Sequence, residues 1–106
     1  MPDYILTENL RAAIEIQTDS IVSKTVFGSE HTKVVLMALD AGQELSEHTA
    51  AMPAVIHLIE GVAEVLLGDD VHRLEAGAWM HMPASLRHAV KAVTPTVLLL
   101  TLFKKH

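Results

Sequence analysis

Gly42-Gln-Glu-Leu-Ser-Glu-His48, Pro53-Ala-Val-Ile-His57-Leu-Ile-Glu-Gly61 and Gly77-Ala-Trp-Met-His81-Met-Pro83-Ala-Ser-Leu-Arg-His88 are the pieces of this chain that decide its fold. Each joins a short apolar run to turn residues, and two of them end on a histidine set a fixed distance after a glycine. Short apolar and β-branched runs closed by Gly, Pro or Asp are strand signals.

The same rhythm extends in both directions. Residues 21–27 form a run closed by Gly28-Ser29, and residues 33–39 one closed by Asp40-Ala-Gly42. Runs at 55–59, 62–67, 71–74, 78–82, 87–93 and 97–103 follow, each bounded by Gly, Pro or acidic turn residues. Regularly spaced short strands predict an all-β sandwich or barrel. The expected layout is one domain over residues 1–106, with a barrel at 21–103 and an N-terminal extension at 1–20. Within the extension, residues 7–14 read as a short helix, with Thr7 as N-cap and Glu8 in the first turn.

Four runs do not alternate. Residues 34–39, 55–59, 78–82 and 97–100 are apolar on both strand faces, and a sheet wetted on one side would show alternation. Half of the 106 residues are apolar and the mean hydropathy is +0.31. A short chain has much surface to cover with polar groups, so this excess implies further burial. One face fills the barrel, and the other is expected to meet a second copy in a homodimer.

Eight basic residues against thirteen acidic ones leave a net charge of −5, which argues against a nucleic-acid partner. The absence of cysteine removes disulfides, thiolate ligands and a thiol nucleophile. No Ser–His–Asp motif or glycine-rich phosphate loop is present. Met1-Pro-Asp-Tyr4 lacks the basic start and apolar run of a secretory signal. The apolar runs are too short to cross a bilayer, so no membrane partner and a cytoplasmic location are expected.

The glycine, histidine and proline spacings resemble those of small single-domain cupins, over residues 21 to 103. The first motif of that family has Gly, five residues, His-x-His, then Glu, six residues and Gly. Gly42, His48 and Gly61 fit it, whereas Ala50 replaces the second histidine and Ala54 the glutamate. The second motif has Gly, five residues, Pro-x-Gly, two residues, His, three residues and Asn. Gly77, Pro83 and His88 fit, whereas Ser85 and Ala92 depart from it. The resemblance implies a jelly-roll double-stranded β-helix barrel. It also implies a divalent transition metal (Fe, Mn, Ni or Zn) held by three histidines and the glutamate, of which His48 and His88 remain.

Seven histidines offer replacements, imidazole being the commonest metal ligand. His57 is the candidate third ligand, with His81 the alternative. Strand parity sets His57 apart from the pair, because an inward Ala54 places Ile56 and Leu58 inside and His57 on the opposite face with Val55 and Ile59. His81 shares a face with Trp79, and that face is inner or outer. His72 and His31 read as solvated, and His106 is terminal. Met52, in a loop over the mouth, Arg87, as an anion attractor, and Trp79 are candidate pocket residues. Glu44 and Glu47 read as loop charges, with Glu47 a candidate to orient the His48 ring. Three functional readings stand: a metal-assisted enzyme such as an oxygenase or isomerase, a non-catalytic barrel binding a small molecule through His48, His88 and Arg87, or a structural or regulatory dimer with a vestigial pocket.

Overall fold

The computed structural model describes residues 3–104. It is nearly all β. Nine strands run as β1 (Ile21–Gly28), β2 (Thr32–Leu39), β3 (Glu44–His48), β4 (Ala54–Glu60), β5 (Val62–Leu67), β6 (Asp70–Glu75), β7 (Trp79–Met82), β8 (His88–Ala92) and β9 (Thr96–Phe103). They form a five-stranded sheet of order β1-β2-β9-β4-β7 facing a four-stranded sheet of order β3-β8-β5-β6, with antiparallel neighbours throughout. From β2 onward every connection except the β5–β6 hairpin crosses between the sheets, which is the jelly-roll arrangement.

The inner faces are apolar by strict period-two selection. On β4, Ala54, Ile56 and Leu58 are buried, while Val55, His57 and Ile59 are only partly so. Leu39, Met80, Met82, Ala63, Val65, Val90, Ala92 and Leu98 join them in one core between the sheets.

The expected N-terminal helix is not formed. Only a 3-10 turn at Arg11–Ala13 appears, preceded by Leu10 as cap, and no capping bond comes from Thr7. A helix this short cannot repay its nucleation, so the segment takes its conformation from packing instead. Ile14 is buried with Leu36, Ala38 and Val97 on the outer face of the larger sheet, and Leu10, Ala13 and Ile16 pack around them. The Arg11 Nε donates to Glu60 Oε2 at 2.8 Å, and Lys24 Nζ donates to the Ala13 carbonyl at 3.2 Å. Part of the outer apolar surface is therefore covered by the chain itself.

The remainder of that face is open. Register lines carry one row Phe27, Val34, Thr101, Val55, His81 and a second row that runs from the covered Leu36 through Leu99 and His57 to Trp79. Trp79 is 63% exposed and Phe27 39%. Residues 5–7 and Leu10 flank this area, forming a groove of about 470 Å³ with Val26, Phe27 and Val34. Among the described residues, no helix is long and apolar enough to cross a membrane.

Candidate functional site

Glu44 and Glu47, read from the sequence as loop charges, lie on the edge strand β3, and its irregularity builds the site. Leu45 pairs with Val90 and His48 with His88, so Ser46 and Glu47 together oppose Ala89 alone. That extra residue is a β-bulge. Without it, period-two alternation from the inward Leu45 would send His48 to the outside. The bulge returns His48 to the face shared by His88, Val90 and Ala92, all three of which are buried on β8.

The two rings consequently meet, with centroids 4.2 Å apart and planes at 63°. Their immediate surroundings repeat. His48 Nδ1 lies 2.7 Å from the Ser46 carbonyl oxygen, and His88 Nδ1 lies 2.8 Å from that of Leu86. A carbonyl only accepts, so each Nδ1 donates, and in the neutral ring the lone pair sits on Nε2. His88 is 8% exposed, whereas His48 is open to solvent. The pair thus lies at a mouth, with one ring anchored inside and one at the rim. The loops on either side are joined, as Ser85 N donates to the Ala50 carbonyl at 2.8 Å. Ser85 holds φ +70°, a left-handed conformation that suits the glycine of the family motif better than serine.

Arg87 does not stand free at this mouth. Its guanidinium bonds Asp69 and the Gly68 carbonyl (3.0 Å for the latter), and lies 3.7 Å from Glu47 Oε2. It ties the β5–β6 turn to the bulge, and Glu47 faces it rather than orienting the His48 ring. Met52 is partly buried in the loop between β3 and β4. His57, His81 and Trp79 lie on the outer face of the larger sheet, and the structure does not bring them to His48 and His88. His72 is exposed on β6, and His31, also exposed, lies 3.9 Å from Glu30. His106 lies outside the described residues.

The donor set decides what this site can hold alone. Ala50 and Ala54 carry no ligand atom, and Ala54 faces Met82 and Leu102 across the sheet. Among the described residues, no group of three or more His, Cys, Asp or Glu is placed to hold a metal ion. A catalytic zinc centre, for scale, has about three protein ligands. Two imidazoles do not fit a resident divalent ion. What the pair offers, with each Nδ1 turned to a carbonyl, is two Nε2 atoms on adjacent rings beside an apolar interior. The sequence signal for the pair was the glycine-to-histidine spacing, but the bulge that unites the rings left no readable mark.

The fold and these spacings agree with the comparisons. The Cupin domain family matches residues 35–103. A conserved protein of unknown function from Streptococcus pyogenes is 26% identical, with a TM-score of 0.88 over 99% of this chain and 92% of that one. An RmlC-like cupin protein from Desulfovibrio desulfuricans is 32% identical, with a TM-score of 0.82 over 94% and 97%. A cupin superfamily protein from Desulfitobacterium hafniense shares the fold at 18% identity, with a TM-score of 0.88 over 95% of each chain. No curated protein matches the chain. With a jelly-roll of two facing sheets, a motif histidine on each of two paired strands and the family match over the barrel, this chain belongs to the cupin family.

Proposed function

We propose that this cupin binds a small molecule at the barrel mouth, between the Nε2 atoms of His48 and His88, without a resident metal. The observation that carries the reading is the paired tautomer: both Nδ1 atoms donate to backbone carbonyls, leaving two neighbouring acceptors free. Polar groups converging beside apolar side chains are what small-ligand sites present. The oxygenase or isomerase reading would use the same nitrogens as metal ligands, but it lacks the donors that Ala50 and Ala54 have removed. Location in the cytoplasm is part of the proposal.

The test is a thermal-shift screen of untagged protein against small carboxylates and sugars. A binding compound at 100 times its Kd should add about 2.7 kcal/mol of stability. His48→Ala should cut its affinity at least tenfold, since the exposed ring contributes little to folding. Compounds that bind equally well to His48→Ala would refute the assignment.

We also propose that two copies pair through the open part of the larger sheet. Tyr4, Ile5, Leu6, Phe27, Trp79 and Phe103 are 39–70% exposed on or beside it. At roughly 200 Å² per large side chain, these together leave about 700 Å² of apolar surface exposed. Spread across the sheet from β1 to β7, that area approaches the ~800 Å² per partner of a stable interface. Trp79→Glu should convert a dimer to a monomer in light scattering, with at least ~30-fold weaker association. The residue is exposed, so the unfolding midpoint of the isolated chain should hardly move. A dimer unaffected by this change would place the interface elsewhere.

A further inference from the structure

We infer that a separate small-molecule site lies at the end of the barrel away from the histidine pair, and that it takes a zwitterionic α-amino acid with an aliphatic side chain. Arg73 receives the carboxylate, Glu75 the ammonium, and the apolar wall beside them the side chain.

The place is set by the topology. β6 and β7 are edge strands of the two facing sheets, and residues 76–78 join them. Around that turn opens a cavity of about 580 Å³, lined by Val62, Arg73, Leu74, Glu75, Ala76 and Ala78. Its volume lies within the range of small-molecule sites, about 300–1,000 Å³. His88 pairs with Leu67 at the far end of β5, which begins at Val62. A strand of that length separates the two ends by about 17 Å, so the cavity is distinct from the mouth.

The lining joins a dry wall to two unmatched charges. Leu74 and Ala78 pack against the barrel core, so one side of the cavity reaches its apolar rim. Arg73 and Glu75 are exposed on the opposite face of β6 from Leu74. Among the described residues, neither side chain has a hydrogen-bond or ion-pair partner. The other two arginines are held: Arg11 by Glu60 and the Ile14 carbonyl, Arg87 by Asp69 and the Gly68 carbonyl. Arg73 is left with its planar fork of donors unused, at the edge of a cavity.

This arrangement favours a ligand that carries both charges. Residues two apart on a strand stand about 6.8 Å from each other. An ammonium and a carboxylate on one carbon, with a hydrogen bond of about 2.9 Å at each end, bridge a gap of that order. A simple anion meets Arg73 but also Glu75, and Glu64, which pairs with Arg73 across the sheet. A simple cation meets the guanidinium. The zwitterion satisfies both groups, and each contact is charge-assisted. Its aliphatic side chain covers Val62, Leu74 and Ala78, where burial of apolar surface adds to binding. Pairing of two copies through the larger sheet leaves the site accessible, because Arg73 and Glu75 face outward on the smaller one.

Amide chemical shifts of isotope-labelled, untagged protein, followed as L-leucine is added, test this. Saturable shifts should centre on residues 73–78. Isocaproate, which is leucine without the ammonium, and isoamylamine, which is leucine without the carboxylate, should each bind at least tenfold more weakly. Glycine, lacking the side chain, should also lose at least tenfold. Arg73→Gln and Glu75→Gln should each weaken leucine at least tenfold. Both residues are exposed, so the melting midpoints of these variants should hardly move. Isocaproate or isoamylamine binding as tightly as leucine, or leucine affinity retained in both variants, would overturn the inference. Shifts centred on His48 and His88, or no saturable shift at all, would overturn it as well.

Discussion

Replacing Ala50 with histidine and Ala54 with glutamate should turn the mouth of the barrel into a tight metal site. The double variant should bind nickel or zinc at least about 100-fold more tightly than the natural chain, because two donors become four. His48 and His88 already lie ring to ring. Ala54 sits on the inner face of β4, paired with Met82 and Leu102, and is 4% exposed. Its side chain is aimed inward, but there is little slack around it. Growing it to glutamate without metal should cost about 1–3 kcal/mol through overpacking and a buried carboxylate. The metal-free variant should therefore melt earlier than the natural protein. Saturation to 1,000 times Kd should return about 4 kcal/mol. Metal analysis after dialysis and melting curves with and without nickel read both effects. A folded variant that takes up no metal would mean that residues 50 and 54 do not face the histidine pair.

Gly61→Ala should be the most damaging small substitution in the barrel. Gly61 forms the turn from β4 to β5, where the chain passes from one sheet to the other, and holds φ +95°. A Cβ there would collide with the Pro95 carbonyl oxygen and come within 2.7 Å of Thr96 Oγ1. Those atoms cannot swing aside. Thr96 is fully buried, and its hydroxyl bonds the carbonyls of Thr94 and Val62, while Val62 N bonds Thr94 Oγ1. Two crossing turns are thus locked at one corner. The left-handed backbone costs alanine about 1 kcal/mol by itself, and displacing the facing backbone adds more. A loss of about 3 kcal/mol is expected, seen as a fall of roughly 15 °C in melting temperature for a domain of this size. A fall of only a few degrees would show that the corner yields, contrary to its hydrogen bonding.

The outer face shows how far pattern reading reached. Apolar residues on both faces of β2 and β9 do mark two buried surfaces, whereas the outer faces of β7 and, in part, β4 are open. Yet the partner of Leu36, Ala38 and Val97 is the chain's own 10–16 segment, where a helix was expected. Composition states that a surface needs covering but is silent on what covers it. The same limit applies to Trp79 and His81, which parity joined on one face without saying which. Pairing of Trp79 with His57 and of His81 with Val55 settles it, since all four lie opposite the inward Ala54, Ile56 and Leu58.

What the sequence determined by itself is the barrel. Strand lengths, turn glycines and the spacings ending at His48 and His88 are local or periodic properties, and local chemistry suffices to read them. The tertiary structure alone decided that the two imidazoles are neighbours. A bulge at Ser46-Glu47 reverses the facing of everything after it, and it exists only because β3 pairs with β8 in that register. Pairing between strands forty residues apart is set by the whole packed core, so the chemistry at the mouth depends on contacts that no single stretch of the chain contains.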